Sequence, residues 1–362
     1  MIPVLHLRQG TALYGADRAV LALSASTPEP YLPIVGGLAR PGMPDALAEE
    51  ARRRGLPALH FDSASRFDLR CARAVASAAL AQGVRLLHAH DFKALFVALV
   101  AGWLARIPVV ATFHGDTRSS AAVRLYEGIA RMLGNFTRGV AAVSRALEGR
   151  LHRWVRAAPV AFVPNGLPEA APLSESERAQ ARAALGVPAD ALCVAVLGRL
   201  SPEKGHRVLF EAARDRPLTL LVAGDGPLRA QLERDAAGLD ARFLGYLEDT
   251  RPVFAAADVV ALPSLTEGLP LVALEALALG RCVVASAVGE LPRLLADGAG
   301  LLVPPGDAAA LSEALATVEN GEVRARAGQR ALERARDYGV AAMAGAYVSL
   351  YGRALSGLSS SR

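Results

Sequence analysis

The 362-residue sequence predicts an α/β protein built from two tandem, doubly wound domains. Short, continuously apolar runs alternate with longer amphipathic stretches, which is the pattern of parallel strands that are covered by helices on both faces. The alternation stops once, over a polar, proline-punctuated stretch at 169–190, and then restarts. The length also suits two hydrophobic cores better than one.

The first domain, predicted at 1–168, contains seven strand-like runs. They are Ile2–Leu7, Tyr31–Val35, Ala58–Phe61, Arg85–Ala89, Val109–Phe113, Val140–Val143 and Val160–Val163. Helical spacing lies between most of them, for example at Pro44–Arg54, Asp68–Gln82 and Arg145–Val155. The apolar run Ala94–Ala105 is too short to cross a bilayer, and we interpret it as a buried helix.

The predicted linker, 169–190, holds one helical segment at Glu175–Leu185, and the second domain follows at 191–340. Its strand-like runs are Leu192–Leu197, Leu218–Ala223, Arg242–Leu244, Val259–Leu262, Val283–Ser286 and Leu301–Val303. Further helices are predicted at Ala309–Val318 and over a long stretch, Arg324–Leu355, with a tail after it. Ligands bind at the carboxyl ends of such strands, so we expect a site in a cleft between the domains.

The composition excludes several classes of protein. Apolar residues make up 52% of the chain and charged residues 21%, as in a soluble globular protein. The three cysteines, Cys71, Cys193 and Cys282, are odd in number and widely spaced, which argues against a disulfide framework or a zinc site. The chain does not open with a signal-like segment, so the cytoplasm is the expected compartment.

The charge is unevenly distributed along the chain. Residues 1–170 carry 20 basic and 12 acidic side chains, whereas residues 171–362 carry 20 and 23. A basic first domain favours an anionic partner such as a phospholipid surface, a lipid diphosphate or nucleic acid, and of these we expect no nucleic acid. Arginines that merely decorate solvated helices are an equally good interpretation of this imbalance.

The strongest motif is the loop after Leu192–Leu197, with the sequence G-R-L-S-P-E-K-G at 198–205. Ser201 is a good N-cap and Pro202 suits a first helical position, so a helix is predicted to begin here. A helix N-terminus presents N–H groups and a partial positive charge, and Arg199 and Lys204 flank it. This combination predicts a site for a diphosphate.

The scarcity of lysine strengthens that prediction. Lys93 and Lys204 are the only lysines among 40 basic residues. A lysine inside this loop therefore indicates a specific role more strongly than a lysine that happens to lie near a helix start.

Two further segments of the second half end strands. The A-G-D-G sequence at 223–226 permits close backbone approach, but it lacks the third glycine of the dinucleotide fingerprint and by itself is typical of a tight turn. In the segment 266–275, Glu267 is predicted in a loop and Glu275 on a helix that starts near Pro270 and stops at Gly280. Glu275 lies among apolar residues and needs a partner, for which a ribose diol or a helix salt bridge both serve.

Polar residues also end three strands of the first half, in the segments 13–17, 88–91 and 112–116. His114 directly follows an apolar strand, where a functional side chain is expected. His88 and His90 are spaced like a pair of metal ligands, but no third ligand stands nearby in the sequence. We interpret both as satisfied histidines and predict no metal.

Taken together, these segments resemble the family 4 glycosyltransferases of the GT-B fold. The resemblance covers nearly the whole chain and is carried by the G-R-x4-K-G loop, A-G-x-G, the E-x7-E pair Glu267/Glu275, G-L-L-V-P-P-G at 300–306 and V-P-N-G at 163–166. It implies two Rossmann-like domains that face each other across a cleft, and a last helix, within 341–362, that returns to the first domain.

The resemblance also implies an activity, namely retaining transfer from a UDP- or GDP-linked sugar to a hydroxyl of a glycan or lipid-linked saccharide. The donor is a co-substrate, and no metal or other cofactor is implied. Separately from the resemblance, the arginines between Arg118 and Arg156 in the basic first domain favour docking at the anionic inner face of the membrane. Arg199 and Lys204 would hold the diphosphate, Glu275 the ribose, and His114 the transferred sugar. Further donor contacts would come from Gly15, Gly198, Gly224, Gly226, Glu267, Gly268, Leu269, Pro270 and Leu271.

The chain departs from the family pattern in three places. The paired glycines near the N-terminus are Tyr14-Gly15 here, Asp17 replaces a usual Glu, and G-G-x-P-E is G-E-L-P-R at 289–293, with Glu290 and Arg293 as the changed positions. None removes the phosphate-binding charges, so an active enzyme with unusual specificity is expected. The alternatives are a nucleotide-sugar epimerase and a catalytically silent nucleotide-sugar-binding protein, and the incomplete glycine fingerprint disfavours an NAD oxidoreductase.

Overall fold

The computed structural model describes residues 1–10, 13–115 and 121–356, and the chain divides into two compact units. Unit 1 comprises Met1–Pro168 and Gly339–Arg362, and unit 2 comprises Glu169–Tyr338. Asp116, Arg118 and the tail after 356, which entered the predictions above, lie outside the described residues.

Unit 1 is built on a seven-stranded parallel sheet with the order β3-β2-β1-β4-β5-β6-β7. Its strands are β1 (Ile2–Gln9), β2 (Tyr31–Ala39), β3 (Ala58–Asp62), β4 (Leu86–Ala89), β5 (Val109–Phe113), β6 (Gly139–Ala142) and β7 (Val160–Phe162). Apolar side chains such as Leu5, Val35 and Leu87 are fully buried, because helices cover both faces of the sheet. All seven predicted strands are therefore confirmed.

The helices of the first part of unit 1 are α1 (Gly15–Ser26), α2 (Ala46–Arg53), α3 (Leu69–Ala81), α4 (Phe92–Ala105), α5 (Ala121–Leu133) and α6 (Arg145–Trp154). Four of them begin where a side-chain oxygen accepts a hydrogen bond from a free backbone N–H of the first turn; the caps are Asp45, Asp68, Asp91 and Ser144. Helix α4 contains the apolar run 94–105. Its burial is one-sided, since Trp103 is 80% exposed.

Unit 2 is built on a six-stranded parallel sheet with the order β10-β9-β8-β11-β12-β13. Its strands are β8 (Leu192–Leu197), β9 (Leu218–Ala223), β10 (Asp240–Gly245), β11 (Val259–Leu262), β12 (Cys282–Ser286) and β13 (Leu301–Val303). The order places the carboxyl ends of β8, β9 and β11 side by side.

The helices of unit 2 are α7 (Glu175–Ala184), α8 (His206–Ala213), α9 (Arg229–Asp235), α10 (Arg251–Ala256), α11 (Leu271–Ala278), α12 (Leu291–Leu294), α13 (Ala308–Thr317) and α14 (Gly321–Ala335). Helix α7 lies in the segment predicted as a linker, yet it packs on unit 2. Arg178 and Arg182 of α7 both pair with Asp258, which precedes β11, at 2.6 and 3.2 Å. The segment 169–190 is thus part of the second folded unit.

The long C-terminal stretch is two helices rather than one. Helix α14 belongs to unit 2, a 3-10 turn follows at Arg336–Tyr338, and α15 (Val340–Ser356) belongs to unit 1. Tyr347, Leu350 and Tyr351 of α15 are buried in the core that contains residues of β1, β4, β5 and β6. The predicted return of the last helix to the first domain is confirmed. No helix among the described residues has both the length and the apolarity to cross a membrane.

Candidate functional site

Two glycine-containing loops of unit 2 pack backbone against backbone at the ends of β8 and β9. The Leu200 N–H donates to the Asp225 carbonyl at 3.0 Å, and the Leu228 N–H donates to the Leu200 carbonyl at 3.0 Å. A Cβ on Gly224 would overlap the carbonyl of Gly198, and one on Gly226 would overlap the carbonyl of Leu200. In this structure, these glycines therefore permit approach between the two loops.

The helix predicted to begin at Pro202 begins later. Residues Pro202–Lys204 form a single 3-10 turn, and α8 starts at His206, after Gly205 with φ of 67°. A Cβ on Gly205 would overlap the carbonyl of Pro263, so the chain has to change direction there before the α-helix can start. Ser201 does not cap the helix, because its hydroxyl donates to Glu203 at 2.7 Å.

This later start places the Lys204 side chain beside the loop that follows β11. Its Nζ donates to Oε1 of Glu267 at 2.6 Å, and the same oxygen accepts a 2.7 Å hydrogen bond from the Ser264 hydroxyl. The side chains of Lys204 and Glu267 are 27% and 10% exposed. The structure thus joins two predicted site residues 63 positions apart and adds Ser264, which the sequence reasoning missed although it is a polar residue just after a strand. Arg199 is exposed on the same loop as Lys204.

The segment 289–293 packs against the backbone that follows Glu267. The Glu290 N–H donates to the Gly268 carbonyl at 2.9 Å, and a Cβ on Gly289, with φ of 60°, would overlap that carbonyl. Glu290, one of the departures, is buried, whereas Arg293 is exposed. Gly289 and Glu290 therefore pack directly against the backbone of the predicted donor loop.

The next residues connect this loop to α11. Pro270 stands at the N-cap of the helix, and Gly280, with φ of 65°, follows its end, as predicted. The side chains of Leu269 and Leu271 are buried, so the contacts predicted for them have to come from the backbone. Glu275 is half-buried on α11, while Glu267 is in the loop, which is the arrangement that the sequence predicted.

Gly15 of unit 1 begins α1, with Tyr14 as the N-cap. A Cβ at Gly15 would meet no atom within 4 Å, so the described fold does not itself require glycine there. Asp17 is buried, accepts a 2.9 Å hydrogen bond from the Tyr14 N–H and pairs with Arg8 at 2.5 Å. Burial raises the pKa of Asp17, and the guanidinium of Arg8 opposes that rise.

Four of the seven histidines form one cluster at the carboxyl ends of β1, β4 and β5. His88 is satisfied, as predicted, because its ring nitrogens lie 2.8 Å from the hydroxyl oxygens of Tyr351 and Thr112. His90 lies 3.1 Å from a ring nitrogen of His6 and 3.4 Å from one of His114. Burial lowers the pKa of His6 and of His114 to about 3, so both rings are neutral at neutral pH.

The prediction that His88 and His90 have no third ligand nearby was wrong in space, because the fold brings His6 to them. His6 pairs in register with His88 across β1 and β4, and ligand atoms of His6, His88 and His90 lie within 4.8 Å of one another. Sequence reasoning missed His6 because only the pairing of two strands that are distant in the chain reveals the contact.

Two protein-family profiles and several relatives match this chain. Residues 34–170 match the profile of Glycosyltransferase Family 4, and residues 191–320 match the profile described as Glycosyl transferases group 1. D-inositol 3-phosphate glycosyltransferase of Corynebacterium efficiens is 35% identical over 305 residues, which cover 74% of this chain and 71% of that protein. Phosphatidyl-myo-inositol mannosyltransferase of Mycolicibacterium smegmatis is 35% identical over 271 residues, with coverage of 70% and 67%.

Solved structures share the fold over nearly the full length. Anabaena HepE in complex with UDP-glucose is 25% identical, with a TM-score of 0.84 over 99% of this chain and 100% of that one. Its complex with UDP and glucose is 24% identical, with a TM-score of 0.85 over 97% and 100%.

Proposed function

The chain belongs to the family 4 glycosyltransferases of the GT-B fold, and we propose that it transfers a sugar, with retention, from a UDP- or GDP-linked donor to a hydroxyl acceptor. The observation that carries the proposal is the Lys204–Glu267 pair, with Arg199 on the same loop, at the carboxyl edge of the unit 2 sheet. The proposed reaction uses no metal and no bound cofactor.

The diphosphate leaves with negative charge, and fixed cations stabilise that charge as it develops. Lys204 supplies a compact ammonium that a partly buried carboxylate already holds in place, and Arg199 supplies a guanidinium fork that suits phosphate oxygens. Both charges come from one loop whose backbone is tied to its neighbours. Little reorganisation is then needed when the donor binds.

The remaining donor contacts are assigned to residues of both units. Oε1 of Glu267 accepts from Lys204 and Ser264, and we assign Oε2 to a hydroxyl of the donor sugar. Glu275 binds the ribose diol, and the backbone at 268–271 contacts the sugar and phosphates. In unit 1, Gly15 lets the chain approach the phosphates, and His114 contacts the transferred sugar. A leaving phosphate oxygen takes the acceptor proton, so no protein base is assigned.

The proposed acceptor is an anionic saccharide or lipid-linked alcohol in surface polysaccharide or glycolipid assembly. The two relatives are named for inositol 3-phosphate and phosphatidyl-myo-inositol, which both carry phosphate. The first 170 residues of this chain carry an excess of basic side chains, which favours such an acceptor.

A surface of unit 1 supports docking at the anionic inner face of the membrane. The amide of Asn135 donates to the carbonyls of Met132 and Trp154, which joins the ends of α5 and α6. Apolar side chains are exposed around this junction, with Phe136 at 75%. The aromatic–arginine surface consists of Met132, Phe136, Arg138, Arg153, Trp154 and Arg156, all exposed. Aromatic rings and arginines together suit an anionic headgroup layer.

Vesicle binding tests that surface. The chain is expected to co-sediment at low salt with vesicles of phosphatidylglycerol and phosphatidylcholine, and not with phosphatidylcholine alone. A Phe136→Ser, Trp154→Ser variant should lose most of this binding, whereas Leu80→Ser, at an exposed leucine of α3, should keep it. The docking proposal is wrong if the wild-type chain does not co-sediment with anionic vesicles at low salt.

A thermal-shift screen of UDP- and GDP-sugars identifies the donor, since a ligand that binds the native state raises the melting temperature.

With that donor, Lys204→Met and Glu267→Gln are each expected to lower kcat/KM by about 100-fold or more. Arg207→Ala, which breaks a surface ion pair with Asp235 in the same unit, serves as the matched control. Unchanged activity of Lys204→Met would reject the site. Acceptor-dependent release of nucleoside diphosphate excludes an epimerase, which releases none.

A further inference from the structure

We propose that His90 is a positioning residue, which holds the ring of His114 so that Nδ1 of His114 carries the proton and donates to an oxygen of the transferred sugar. The contact with the sugar rests on the proposed function. The position of the proton is argued from burial and hydrogen bonds within the chain, and it is measured without a donor.

The proposal starts from a histidine line formed by His6, His90 and His114. Nδ1 of His6 lies 3.1 Å from Nε2 of His90, and Nδ1 of His90 lies 3.4 Å from Nε2 of His114. A neutral imidazole has one N–H and one lone pair. His90 must therefore donate in one of these bonds and accept in the other, so both bonds run in the same direction.

The two ends of the histidine line differ in exposure, and that difference decides the direction. Nε2 of His6 is buried and has no hydrogen-bond partner among the described residues. A buried N–H without an acceptor is rarer in proteins than a buried acceptor without a donor. Either direction leaves one N–H without a partner, on Nε2 of His6 or on Nδ1 of His114. His6 is fully buried, whereas His114 is half-buried, so an acceptor can reach only the N–H of His114. We therefore place the proton of His6 on Nδ1, which donates to His90, and His90 in turn donates from Nδ1 to His114.

The other end of the line is where a ligand is needed. With Nε2 of His114 accepting from His90, the single proton of the ring is on Nδ1. That atom is also buried and has no partner in the described part of the chain. Its N–H gains a hydrogen bond only when an acceptor oxygen arrives, and a sugar hydroxyl or a phosphate oxygen supplies one.

A metal ion is the competing interpretation of this cluster, since His6, His88 and His90 lie close together. Both ring nitrogens of His88 already have hydroxyl partners, Tyr351 and Thr112. Binding a metal would break one of these buried hydrogen bonds as well as one of the two hydrogen bonds of His90. The hydrogen-bonded line accounts for the same residues without breaking any bond.

The tautomer is measured directly in ligand-free protein. Long-range ¹H–¹⁵N correlation spectra of the whole chain, labelled with [¹⁵N]histidine, show which ring nitrogen carries each proton, and His114→Asn assigns the signal of His114. The proposal predicts protons on Nδ1 of His6, His90 and His114. A proton on Nε2 of His114, or one equivalent of bound metal by elemental analysis, would overturn it whether or not the enzyme is active.

Two substitutions of His90 separate its two bonds. His90→Asn places an amide near the former Nδ1 and keeps a donor toward His114, whereas His90→Gln places it near the former Nε2 and keeps only the link to His6. Each variant loses one bond of the histidine line, so their melting temperatures should be similar. A purely structural role for His90 would affect both variants alike.

The contact with the sugar is tested by measuring the affinity of each variant for a nucleotide sugar and for the corresponding nucleoside diphosphate. UDP-glucose with UDP, or GDP-mannose with GDP, serves as the probe pair, according to which pair the wild type binds. His90→Gln should weaken the affinity for the nucleotide sugar by about 3- to 10-fold, which is the effect of losing one hydrogen bond. The affinity of this variant for the nucleoside diphosphate should stay the same. His90→Asn should change neither. Equal effects of the two variants, or equal loss of both ligands, would overturn the proposal.

Discussion

His6, His88, His90 and His114 have their ring nitrogens shielded from water, and burial lowers the pKa of each. Neutral imidazoles are either donors or acceptors at a given atom, and each pairing in this cluster depends on that choice. Neutrality is therefore a condition for the packing of unit 1 at this point, and it makes the unit sensitive to acid.

Acidification is expected to destabilise unit 1. The pKa of His6 is about 3 in the folded chain and 6.5 in an unperturbed histidine, so between these values the unfolded chain binds a proton that the folded chain does not. Lowering the pH from 7.5 to 5.5 should then reduce the free energy of unfolding by about 1.4 kcal/mol for this ring alone. Denaturant titrations at the two pH values measure the difference.

The matched variant for this prediction is His6→Asn, which keeps an amide donor near the former Nδ1 but does not titrate. Its unfolding free energy should depend less on pH than that of the wild type, by the share that His6 contributes. The same pH dependence in both proteins would mean that His6 is not held neutral in the fold.

At the level of elements, the strands of unit 2 end in loops that contact one another through their backbones. Gly198, Gly224 and Gly226 meet at the ends of β8 and β9, and Gly205 meets the loop after β11. Such contacts hold the Lys204–Glu267 pair from two sides and leave little room for side chains. Glycine in these motifs thus has a structural role, and Gly15 in unit 1 stands in contrast to it.

Substitution by alanine should separate these two kinds of glycine. Gly224 has φ of 138° and no space for a Cβ, so Gly224→Ala is expected to cost about 3 kcal/mol and to lower the melting temperature by about 6 to 12 °C. Gly15→Ala should leave the melting temperature unchanged and weaken donor binding. Calorimetry and a donor titration measure both effects. A stable Gly224→Ala protein would contradict the packing, and unchanged donor binding by Gly15→Ala would remove Gly15 from the site.

At the level of the whole molecule, unit 1 is assembled from two separate parts of the chain. The Val340 N–H donates to the Leu167 carbonyl at 2.9 Å, so the chain leaves and re-enters the unit at adjacent points. Helix α15 then covers the sheet with fully buried Leu350 and Tyr351, and Tyr351 also contacts His88. The last helix thus contributes both to the core and to the histidine cluster.

Loss of a buried side chain from α15 is expected to destabilise unit 1 selectively. Leu350→Ala should cost about 3 kcal/mol, because it leaves a cavity beside the sheet. Both tryptophans of the chain, Trp103 and Trp154, lie in unit 1, so tryptophan fluorescence follows this unit during denaturant unfolding. In Leu350→Ala, the midpoint of the fluorescence transition should shift to a lower denaturant concentration. Ser349→Ala, at an exposed position of the same helix, should not shift it, and an unshifted transition for Leu350→Ala would contradict the placement of α15.

The sequence by itself determined the strands, the fold class and the family. The bounds of Leu192–Leu197, Leu218–Ala223 and Val259–Leu262 are the same as predicted, because a buried parallel strand is a local apolar run between turns. It also determined that Glu267 lies in a loop and Glu275 on a helix, since proline and glycine mark the ends of α11.

Only the tertiary structure decided which distant residues meet. His6 joins His88 through the pairing of β1 with β4, the start of α8 moves to His206 because Gly205 passes the carbonyl of Pro263, and Lys204 reaches Glu267 as a result. The physical reason is that periodicity and apolar runs are properties of one segment. Strand order and contacts between loops depend instead on segments far apart in the chain, and no local pattern records them.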